Sequence, residues 1–230
     1  MSFASLTPAE KKYFSRYNPA DAYVANHTVY AKIENTQVRI CSADEILLRG
    51  DHNLENIAAA TLAALAAGCP VDVIQSTVRT FKGLPHRIEF VGELHGVSYY
   101  DDSFSTVPET TIAALESFAE PKIVILGGSD KGSDYSEMAK NIASNTSVKT
   151  VVLIGLMAQK ISNALKNAGY SGTVLTGAKT MREIIDQCVS QANNGEVVLL
   201  SPACASFDMF KNYKDRGIQF AHEVTARIHP

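Results

Sequence analysis

The stretch Val197-Val-Leu-Leu-Ser-Pro-Ala-Cys-Ala-Ser-Phe-Asp-Met-Phe210 gives the most direct information about the fold. With Glu196, its first four residues form a run that is typical of a parallel strand buried on both faces. Pro202 ends this strand, because proline has no N–H group for a sheet and restricts the residue before it. From Phe207 onward, apolar residues recur at helical spacing. We therefore expect a strand, a tight loop and the start of a helix.

A loop between a strand and a helix is a common ligand-binding position in α/β proteins. In an open sheet the ligand crevice lies beyond the carboxyl ends of the strands, and free N–H groups at helix starts attract anions. We therefore expect Ser206 and the backbone of residues 205–207 to hold a carboxylate or a phosphate. The alternative is that Ser201 and Ser206 only cap a helix and that Cys204 is a small core residue.

Strands and helices alternate along the sequence before and within this stretch. Strands are expected at 122–126, 151–154, 173–175 and 196–200, and helices at 107–118, 134–144, 157–168 and 179–193. Two alternating runs, Arg87–Leu94 and Val97–Tyr100, flank His95-Gly96, which is a hairpin signal. This order predicts an α/β fold with a mostly parallel sheet, right-handed crossovers and helices on both faces.

The first part of the chain has a different pattern. Short alternating runs joined by Asn-rich turns before residue 50 predict a sheet edge or the remnant of a sheet. A helix follows from Asn53 and ends at Gly68 and Pro70, and a second helix is broken by Gly83-Leu-Pro85. We therefore place a domain boundary at about residue 83.

Composition limits the classes of partner. The chain has 230 residues, of which 46% are hydrophobic and 20% charged, as in a globular protein of one or two domains. A net charge of −3 without basic runs argues against nucleic acid or an anionic membrane as a partner. The four cysteines and six histidines suggest neither a disulfide framework nor a zinc site. Because no signal core or membrane-length apolar helix is visible, we expect a cytoplasmic protein that binds a small molecule or another protein.

Polar residues also follow two other predicted strands. Asp101-Asp102 comes after the strand at 97–100, where a carboxylate commonly binds a ribose hydroxyl or a cation. A capping box of Ser105 or Thr106 with Glu109 would explain the hydroxyls there, but it leaves the two carboxylates unexplained.

The strand at 122–126 continues into Gly127-Gly-Ser-Asp-Lys131. The glycines allow the backbone to approach a ligand closely, and Lys131 offers a positive charge to a carboxylate or a phosphate. The alternative is a glycine-rich turn with a solvated lysine.

Five motifs in fixed order resemble the Mur ligase family. They are Arg49-Gly-Asp-His-Asn53-Leu-Glu-Asn56, Gly83-Leu-Pro-His-Arg87, Tyr100-Asp-Asp-Ser103 with Thr106, Leu126-Gly-Gly-Ser-Asp-Lys131, and Leu200-Ser-Pro-Ala-Cys-Ala-Ser-Phe-Asp208 with Phe210-Lys-Asn-Tyr-Lys-Asp-Arg-Gly217. Over residues 45–230 the chain is similar to the C-terminal half of a Mur ligase of the type that adds D-glutamate.

The resemblance implies a domain organisation. Such ligases have a UDP-binding domain, a central ATPase and a Rossmann-like C-terminal domain that presents the incoming amino acid. Residues 1–83 resemble the last part of the central domain, and residues 84–230 resemble the whole third domain. The phosphate loop, the magnesium ligands and the carbamylated lysine of the family have no counterpart here. We therefore expect the isolated chain to be inactive, to bind neither ATP nor Mg²⁺ by itself, and to self-associate through its truncated first part.

The resemblance also implies roles for particular residues. ATP-binding positions are Asn53 and Asn56 for adenine, Arg87 for phosphate and Asp102 for ribose, with His86 and Arg87 forming the hinge. Positions of the D-glutamate pocket are Thr106, Lys131, Ser206, Phe207 and Tyr213. No residue of this chain is assigned a catalytic role or a metal. Phe104 stands where lysine is common, which leaves one charged contact open, and Tyr213 stands where phenylalanine is more usual.

The implied activity is ATP-dependent addition of D-glutamate to UDP-N-acetylmuramoyl-L-alanine through an acyl phosphate, a step of peptidoglycan precursor synthesis. ATP and Mg²⁺ would be needed by the complete enzyme. The alternative is a stand-alone binding module, or a pseudo-ligase that keeps the fold without catalysis.

Overall fold

A computed structural model describes residues 8–228. The chain forms two compact units, Met1–Lys82 and Gly83–Pro230. Within the described range, no helix combines the length and the apolar character needed to cross a membrane.

The first unit contains a small sheet and two helices. Its elements are β1 (Phe14–Ser15), β2 (Ala22–Ala25), β3 (Thr28–Ile33), β4 (Thr36–Ser42), α1 (His52–Ala66) and α2 (Val71–Thr80). The strands lie in the order β1-β2-β3-β4, with β1 parallel to β2 and the other pairs antiparallel. Asn26-His27 and Glu34-Asn35 have positive φ angles, which suit the tight turns of the two hairpins.

The second unit is a larger α/β layer structure. Its elements are β5 (Glu89–Leu94), β6 (Val97–Asp101), α3 (Pro108–Glu116), β7 (Lys122–Gly127), α4 (Ser136–Ser144), β8 (Val148–Ile154), α5 (Ala158–Asn167), β9 (Thr173–Leu175), α6 (Met181–Gln191), β10 (Val197–Leu200) and α7 (Tyr213–Ile228). The strand order is β5-β6-β10-β7-β8-β9. Only β5 runs antiparallel to its neighbour, and all other pairs in this sheet are parallel.

Alternating side chains of the central strands build two core layers. In β10, Val197 and Leu199 pack in the layer of α3, α4 and α5, whereas Val198 and Leu200 pack with α6 and α7. All six residues of β7 are buried, as expected for a strand covered on both faces. The predicted mostly parallel sheet with helices on both faces is therefore confirmed.

The position of β10 determines where a site can form. Leu200 pairs with Asp101 of β6 on one side and with Ile125 of β7 on the other. The loops that follow these three strands therefore leave the same edge of the sheet side by side. Such an edge is where ligands bind in open α/β sheets.

The structure corrects the expected helix start after Ser206. The helix α7 begins at Tyr213. Before it, the carbonyl of Ser206 accepts hydrogen bonds from the N–H groups of Met209 and Phe210, which forms a separate turn. Ala205 pairs with Ser129 of the neighbouring loop instead of entering a helix. The apolar residues from Phe207 to Phe210 therefore belong to an irregular loop.

The packing of α7 provides a first prediction. Phe220 is 0% exposed and its ring lies 6.4 Å from that of Tyr99, whereas Ile218 on the same helix is 60% exposed. Phe220→Ala should lower the free energy of unfolding by about 3–5 kcal/mol, because it leaves a cavity in the core. Ile218→Ala is the matched control and should change it by less than about 0.5 kcal/mol. Denaturant-dependent hydrogen exchange of the β10 amides measures both, and equal effects would contradict this packing.

Candidate functional site

The loops after β6, β7 and β10 surround a cavity of about 420 Å³. This strand-end cavity is lined by Arg87, Phe104, Thr106, Val107, Thr110, Lys131, Ala205, Ser206, Phe207 and Tyr213. All five residues that the sequence analysis assigned to an amino-acid pocket are among them. Positions separated by more than one hundred residues, such as Thr106 and Tyr213, thus meet at one edge of the sheet.

Lys131 and Thr106 contact each other directly in this cavity. The Lys131 ammonium donates a hydrogen bond to the Thr106 hydroxyl at 3.2 Å. The helix α3 begins after Val107 without a capping side chain, so the proposed capping box of Ser105 or Thr106 with Glu109 is wrong. The Thr106 hydroxyl is therefore available to the cavity, where it helps to orient the lysine.

The loop that carries Lys131 lies against the loop that carries Ser206. Gly128 has a φ angle of 142°, and a Cβ atom added there would lie 2.1 Å from the carbonyl oxygen of Ala205. The Ser129 N–H group donates to that same carbonyl at 2.8 Å. Glycine at position 128 thus allows the two backbones to touch, since any side chain would separate them.

The Ser206 hydroxyl is a polar group without a partner. Ser206 is 1% exposed, and its Oγ makes no hydrogen bond to any residue in the range 8–228. A buried hydroxyl that lacks a partner costs roughly 1–3 kcal/mol. Because Ser206 lines the strand-end cavity, a ligand or a water molecule there can supply the missing bond.

Aromatic side chains form the apolar part of the cavity wall. Phe207 is 72% exposed at the rim. The ring of Phe104 meets that of Tyr213 edge-on, with 4.9 Å between the ring centroids. The cavity therefore combines an apolar wall with cationic and hydroxyl groups.

Arg216, on the first turn of α7, holds two of the three loops in place. Its guanidinium is 0% exposed and donates to the hydroxyl of Ser103 at 2.8 Å and to the Ser103 carbonyl at 2.9 Å. It also donates two hydrogen bonds of 3.2 Å to the carbonyl of Cys204. Ser103 lies three residues before Thr106 in the loop after β6, and Cys204 lies two residues before Ser206 in the loop after β10. The Arg216 side chain therefore holds these two parts of the cavity wall in place relative to each other.

Comparison with known proteins identifies the fold family. Residues 86–204 match the family described as Mur ligase, glutamate ligase domain. The chain belongs to the Mur ligase family.

Individual relatives of this Mur ligase chain agree with that assignment. It is 41% identical over 203 residues to the UDP-N-acetylmuramoylalanine–D-glutamate ligase of Thermoanaerobacter sp. (strain X514), covering 88% of this chain and 44% of the relative. It is 37% identical over 225 residues to the enzyme of the same name from Clostridioides difficile (strain 630), covering 97% of this chain and 49% of the relative. The chain thus spans less than half the length of these relatives.

Solved structures share the fold at lower identity. A pseudomurein peptide ligase type C from Methanothermus fervidus superposes with a TM-score of 0.63 at 17% identity, over 92% of this chain and 42% of that chain. The MurF ligase from Thermotoga maritima in complex with ADP gives a TM-score of 0.57 at 17% identity, over 94% of this chain and 49% of that chain.

The residues of this Mur ligase chain that the resemblance assigns to ATP have different surroundings. Asn53 and Asn56 lie near the N-terminus of α1, where the Asn56 amide donates to the Asn53 side-chain oxygen at 3.1 Å. Arg87 is half-buried and lines the strand-end cavity. Asp102, in contrast, is fully buried and is not among the residues that line it. A role of Asp102 at a ribose therefore requires it to become accessible.

Both carboxylates of the Asp101-Asp102 pair are engaged inside the protein. Asp101 accepts hydrogen bonds from the Ser103 N–H group at 2.8 Å and pairs with the His86 Nδ1 atom at 2.7 Å. Asp102 accepts hydrogen bonds from the Ser201 hydroxyl at 2.7 Å and from the Ile88 N–H group at 3.3 Å. Together they join β6 to the turn at 84–88 and to the end of β10.

Burial changes the acidity of Asp102. Loss of solvation raises the pKa of its carboxyl from the ordinary 3.8 to about 6, although the hydrogen bond from Ser201 and the charge of Arg87 oppose the rise. The folded protein therefore binds this proton more tightly than the unfolded chain does. The stabilisation is fully present below about pH 4 and is lost as the pH rises through about 6.

Sequence reasoning missed Arg216, although a signal for it was present. Arg216, Phe220 and Val224 are spaced four residues apart and lie on the buried face of α7. An arginine in register with an apolar face indicates a buried guanidinium that needs acceptors. The acceptors themselves come from distant loops and are visible only in the structure.

Replacing Arg216 tests its role in the loops. Arg216→Met keeps much of the side-chain volume but leaves the buried Ser103 and Cys204 carbonyls without donors. The free energy of unfolding should fall by roughly 3 kcal/mol or more. Lys214→Met removes an exposed cation from the same helix and should change it by less than about 0.5 kcal/mol. Chemical denaturation compares the two, and a loss below about 1 kcal/mol for Arg216→Met would contradict the role described here.

The buried carboxyl of Asp102 predicts a specific pH dependence. Asp102→Asn cannot ionise, so it should gain stability relative to the unchanged protein as the pH rises from about 4 to about 7.5. The gain should be about 2 kcal/mol. Over this pH range the unchanged protein loses the stabilisation that comes from the tightly bound proton of Asp102, whereas the variant has no such proton to lose. Unfolding free energies of both proteins at the two pH values give this difference. A difference that does not change with pH would show that Asp102 titrates normally.

Proposed function

We propose that Gly83–Pro230 holds D-glutamate for amide bond formation, as the C-terminal part of an ATP-dependent ligase that extends UDP-N-acetylmuramoyl-L-alanine. The names of relatives at 41% and 37% identity support this proposal. The observation that carries it is the strand-end cavity, in which Lys131, Thr106 and the unpaired Ser206 hydroxyl converge beside an aromatic wall.

The chemistry of the cavity suits a small dicarboxylic amino acid. Lys131 offers a positive charge, and Ser206 offers a hydroxyl that can donate to a carboxylate oxygen. No Asp or Glu is among the lining residues that the structure describes, so nothing there repels a carboxylate. A volume of about 420 Å³ leaves room for an amino acid and for the reacting end of a second substrate.

The proposed reaction depends on positioning. ATP transfers its γ-phosphoryl group to the carboxylate of UDP-N-acetylmuramoyl-L-alanine, which forms an acyl phosphate and releases ADP. The amine of D-glutamate then attacks the carbonyl carbon, the bond from this carbon to the phosphate oxygen breaks, and the amide, inorganic phosphate and a proton are released. Residues that hold both carboxylates leave the amine as the free nucleophile. Phe207 and Tyr213 add apolar surface to the cavity wall, which reduces the number of water molecules that can reach a bound acyl phosphate.

The ATP-binding and hinge roles belong to the same proposal. The amides of Asn53 and Asn56 suit the hydrogen-bonding edge of adenine, and Arg87 suits a phosphate. His86 has a φ angle of 63° in the turn at 84–88, which fits a hinge position with a special backbone conformation. A cytoplasmic location is consistent with four cysteines that are all free.

We also propose that the first unit is the end of the central ATPase domain. Tyr13, Phe14 and Tyr17 at the β1 edge are 56%, 48% and 76% exposed. Such an aromatic edge suits contact with further strands of the same domain, or self-association of the isolated chain.

Titration with D-glutamate tests the proposed function. Amide resonances of residues 104–106, 129–131 and 205–207 should shift on addition of D-glutamate, at millimolar concentrations because a small ligand offers few contacts. Lys131→Ala should weaken binding by about tenfold or more, since it removes a charged partner. Lys140→Ala, which removes an exposed lysine of α4 outside the cavity, should leave the affinity unchanged. Shifts elsewhere, or equal effects of the two variants, would refute the proposal.

A further inference from the structure

The loop between β7 and α4 contacts the start of α5 near both of its ends. We call this loop, residues 128–135, the lysine loop. At its beginning, the carbonyl of Gly128 accepts a hydrogen bond from the Met157 N–H group at 3.0 Å. Near its end, the carbonyl of Ser133 accepts a hydrogen bond from the Lys160 ammonium at 3.0 Å. The first bond depends on the backbone alone, whereas the second depends on the side chain at position 160.

The Lys160 ammonium also lies over an aromatic ring of the same loop. Its nitrogen is 5.4 Å from the ring centroid of Tyr135, a residue that is 2% exposed. The Tyr135 hydroxyl lies 3.1 Å from the Cys204 sulfur, with which it forms a hydrogen bond. Cys204 belongs to the loop after β10, which contains Ser206. Lys160 therefore contacts the end of the lysine loop beside a ring that is itself joined to a second loop of the cavity wall.

Lys131 lies between the two ends of the lysine loop that contact α5. The Gly132 N–H group donates to the Asp130 carboxylate at 2.8 Å, and Gly132 has a φ angle of 74°. These features form a tight turn centred on Lys131. The Lys131 ammonium in turn donates to the Thr106 hydroxyl. The place of this ammonium in the cavity therefore depends on where the two ends of the loop are held.

We propose that Lys160 is a positioning residue for the amino-acid site: it fixes the end of the lysine loop and thereby keeps the Lys131 ammonium in the strand-end cavity. This inference rests on the proposed function and deepens it, because it assigns a part in D-glutamate binding to a residue outside the cavity. Lys160 is not among the described residues that line the cavity, so it acts through Lys131 and not by contact with the ligand.

The physical basis of this role is pre-organisation. A lysine side chain is a flexible four-carbon stem, and a carboxylate that binds it must immobilise that stem. If the backbone of the loop also moved, its order would add to the entropy cost of binding. Helix α5 offers a rigid support, because Ile161, the neighbour of Lys160, is 0% exposed and packs in the core. A loop held at both ends by this helix leaves mainly the Lys131 side chain to be ordered.

The competing explanation is a direct effect of charge. Lys160 is exposed and cationic, so its removal could weaken the binding of any anion without a change in the loop. Such an effect acts on the ligand itself and does not depend on Lys131. A positioning effect, in contrast, disappears once Lys131 has been removed. A double-mutant cycle separates the two explanations.

The test measures the D-glutamate affinity of the chain by NMR titration in a double-mutant cycle of Lys131 and Lys160. Lys160→Gln should weaken binding by about fivefold, since it removes one hydrogen bond that orders the site. In the Lys131→Ala background, the same change should alter the affinity by less than about twofold. Lys160→Arg should restore binding, because a guanidinium can donate to the Ser133 carbonyl and lie over the Tyr135 ring.

A second lysine on α5 provides the matched control. Lys166 is exposed on the last turn of this helix, so Lys166→Gln removes the same charge and should leave the affinity unchanged. Backbone dynamics add a measurement that needs no ligand. The heteronuclear ¹H–¹⁵N Overhauser effects of residues 130–134 should fall in Lys160→Gln and should stay unchanged in Lys160→Arg and Lys166→Gln. Amides within α5 should keep their values in all three variants.

These measurements separate this inference from the proposed function. Equal losses of affinity on Lys160→Gln with and without Lys131, or unchanged dynamics of residues 130–134, would overturn the inference. If Lys131→Ala weakens D-glutamate binding and Lys160→Gln has no effect, the proposed function stands and the positioning role fails. If the unchanged chain does not bind D-glutamate at the strand-end cavity, both fail.

Discussion

The buried guanidinium of Arg216 is the interaction on which the geometry of the site depends. It has no carboxylate among its hydrogen-bond acceptors, which are the hydroxyl and carbonyl of Ser103 and the carbonyls of Cys204 and Ala205. Burial lowers its pKa to about 10, so it remains charged at neutral pH. A buried charged group without hydrogen-bond acceptors costs more free energy than a neutral one. The loops that contain Ser103 and Cys204 are therefore kept close to α7.

Gly217, the residue after Arg216, also allows neighbouring segments to pack closely against α7. A Cβ atom on Gly217 would lie 2.3 Å from both Asp101 Oδ2 and His86 Nδ1. Glycine therefore lets α7 pass close to the pair formed by His86 and Asp101. The start of one helix thus packs against the turn at 84–88, the end of β6 and the loop after β10. Arg216 and Gly217 together therefore determine how these three segments pack against the start of α7.

Much of the second unit could be predicted from sequence, because buried parallel strands and amphipathic helices have strong local patterns. The run Val197–Leu200 and the hairpin at His95-Gly96 are found as expected. The start of α7 could not be predicted, since Phe207 and Phe210 mimic a helical pattern. Their loop conformation depends on the pairing of Ala205 with Ser129, which is a contact between distant segments.

The candidate site, too, could be predicted from the sequence only in part. Polar residues after strands could be found in the sequence, and the sheet order β6-β10-β7 explains why Thr106, Lys131 and Ser206 share a cavity. The burial of Asp102 and the position of the Arg87 guanidinium over the ring of Phe104 could not be anticipated. Both depend on how the turn at 84–88 folds over the end of β6. The role of each lining residue in binding remains a prediction.

The contact between Gly128 and Ala205 has a consequence for how the site can change over evolutionary time. The hydrogen bond from the Ser129 N–H group to the Ala205 carbonyl joins two loops through backbone atoms alone. Apart from the glycine required at position 128, such a bond does not depend on which side chains the neighbouring positions carry. Residues at the rim, such as Phe104 and Phe207, can therefore be exchanged while the frame that holds Lys131 and Ser206 stays intact. Side chains at the rim thus determine which ligand is bound, whereas backbone contacts between the loops maintain the geometry of the site.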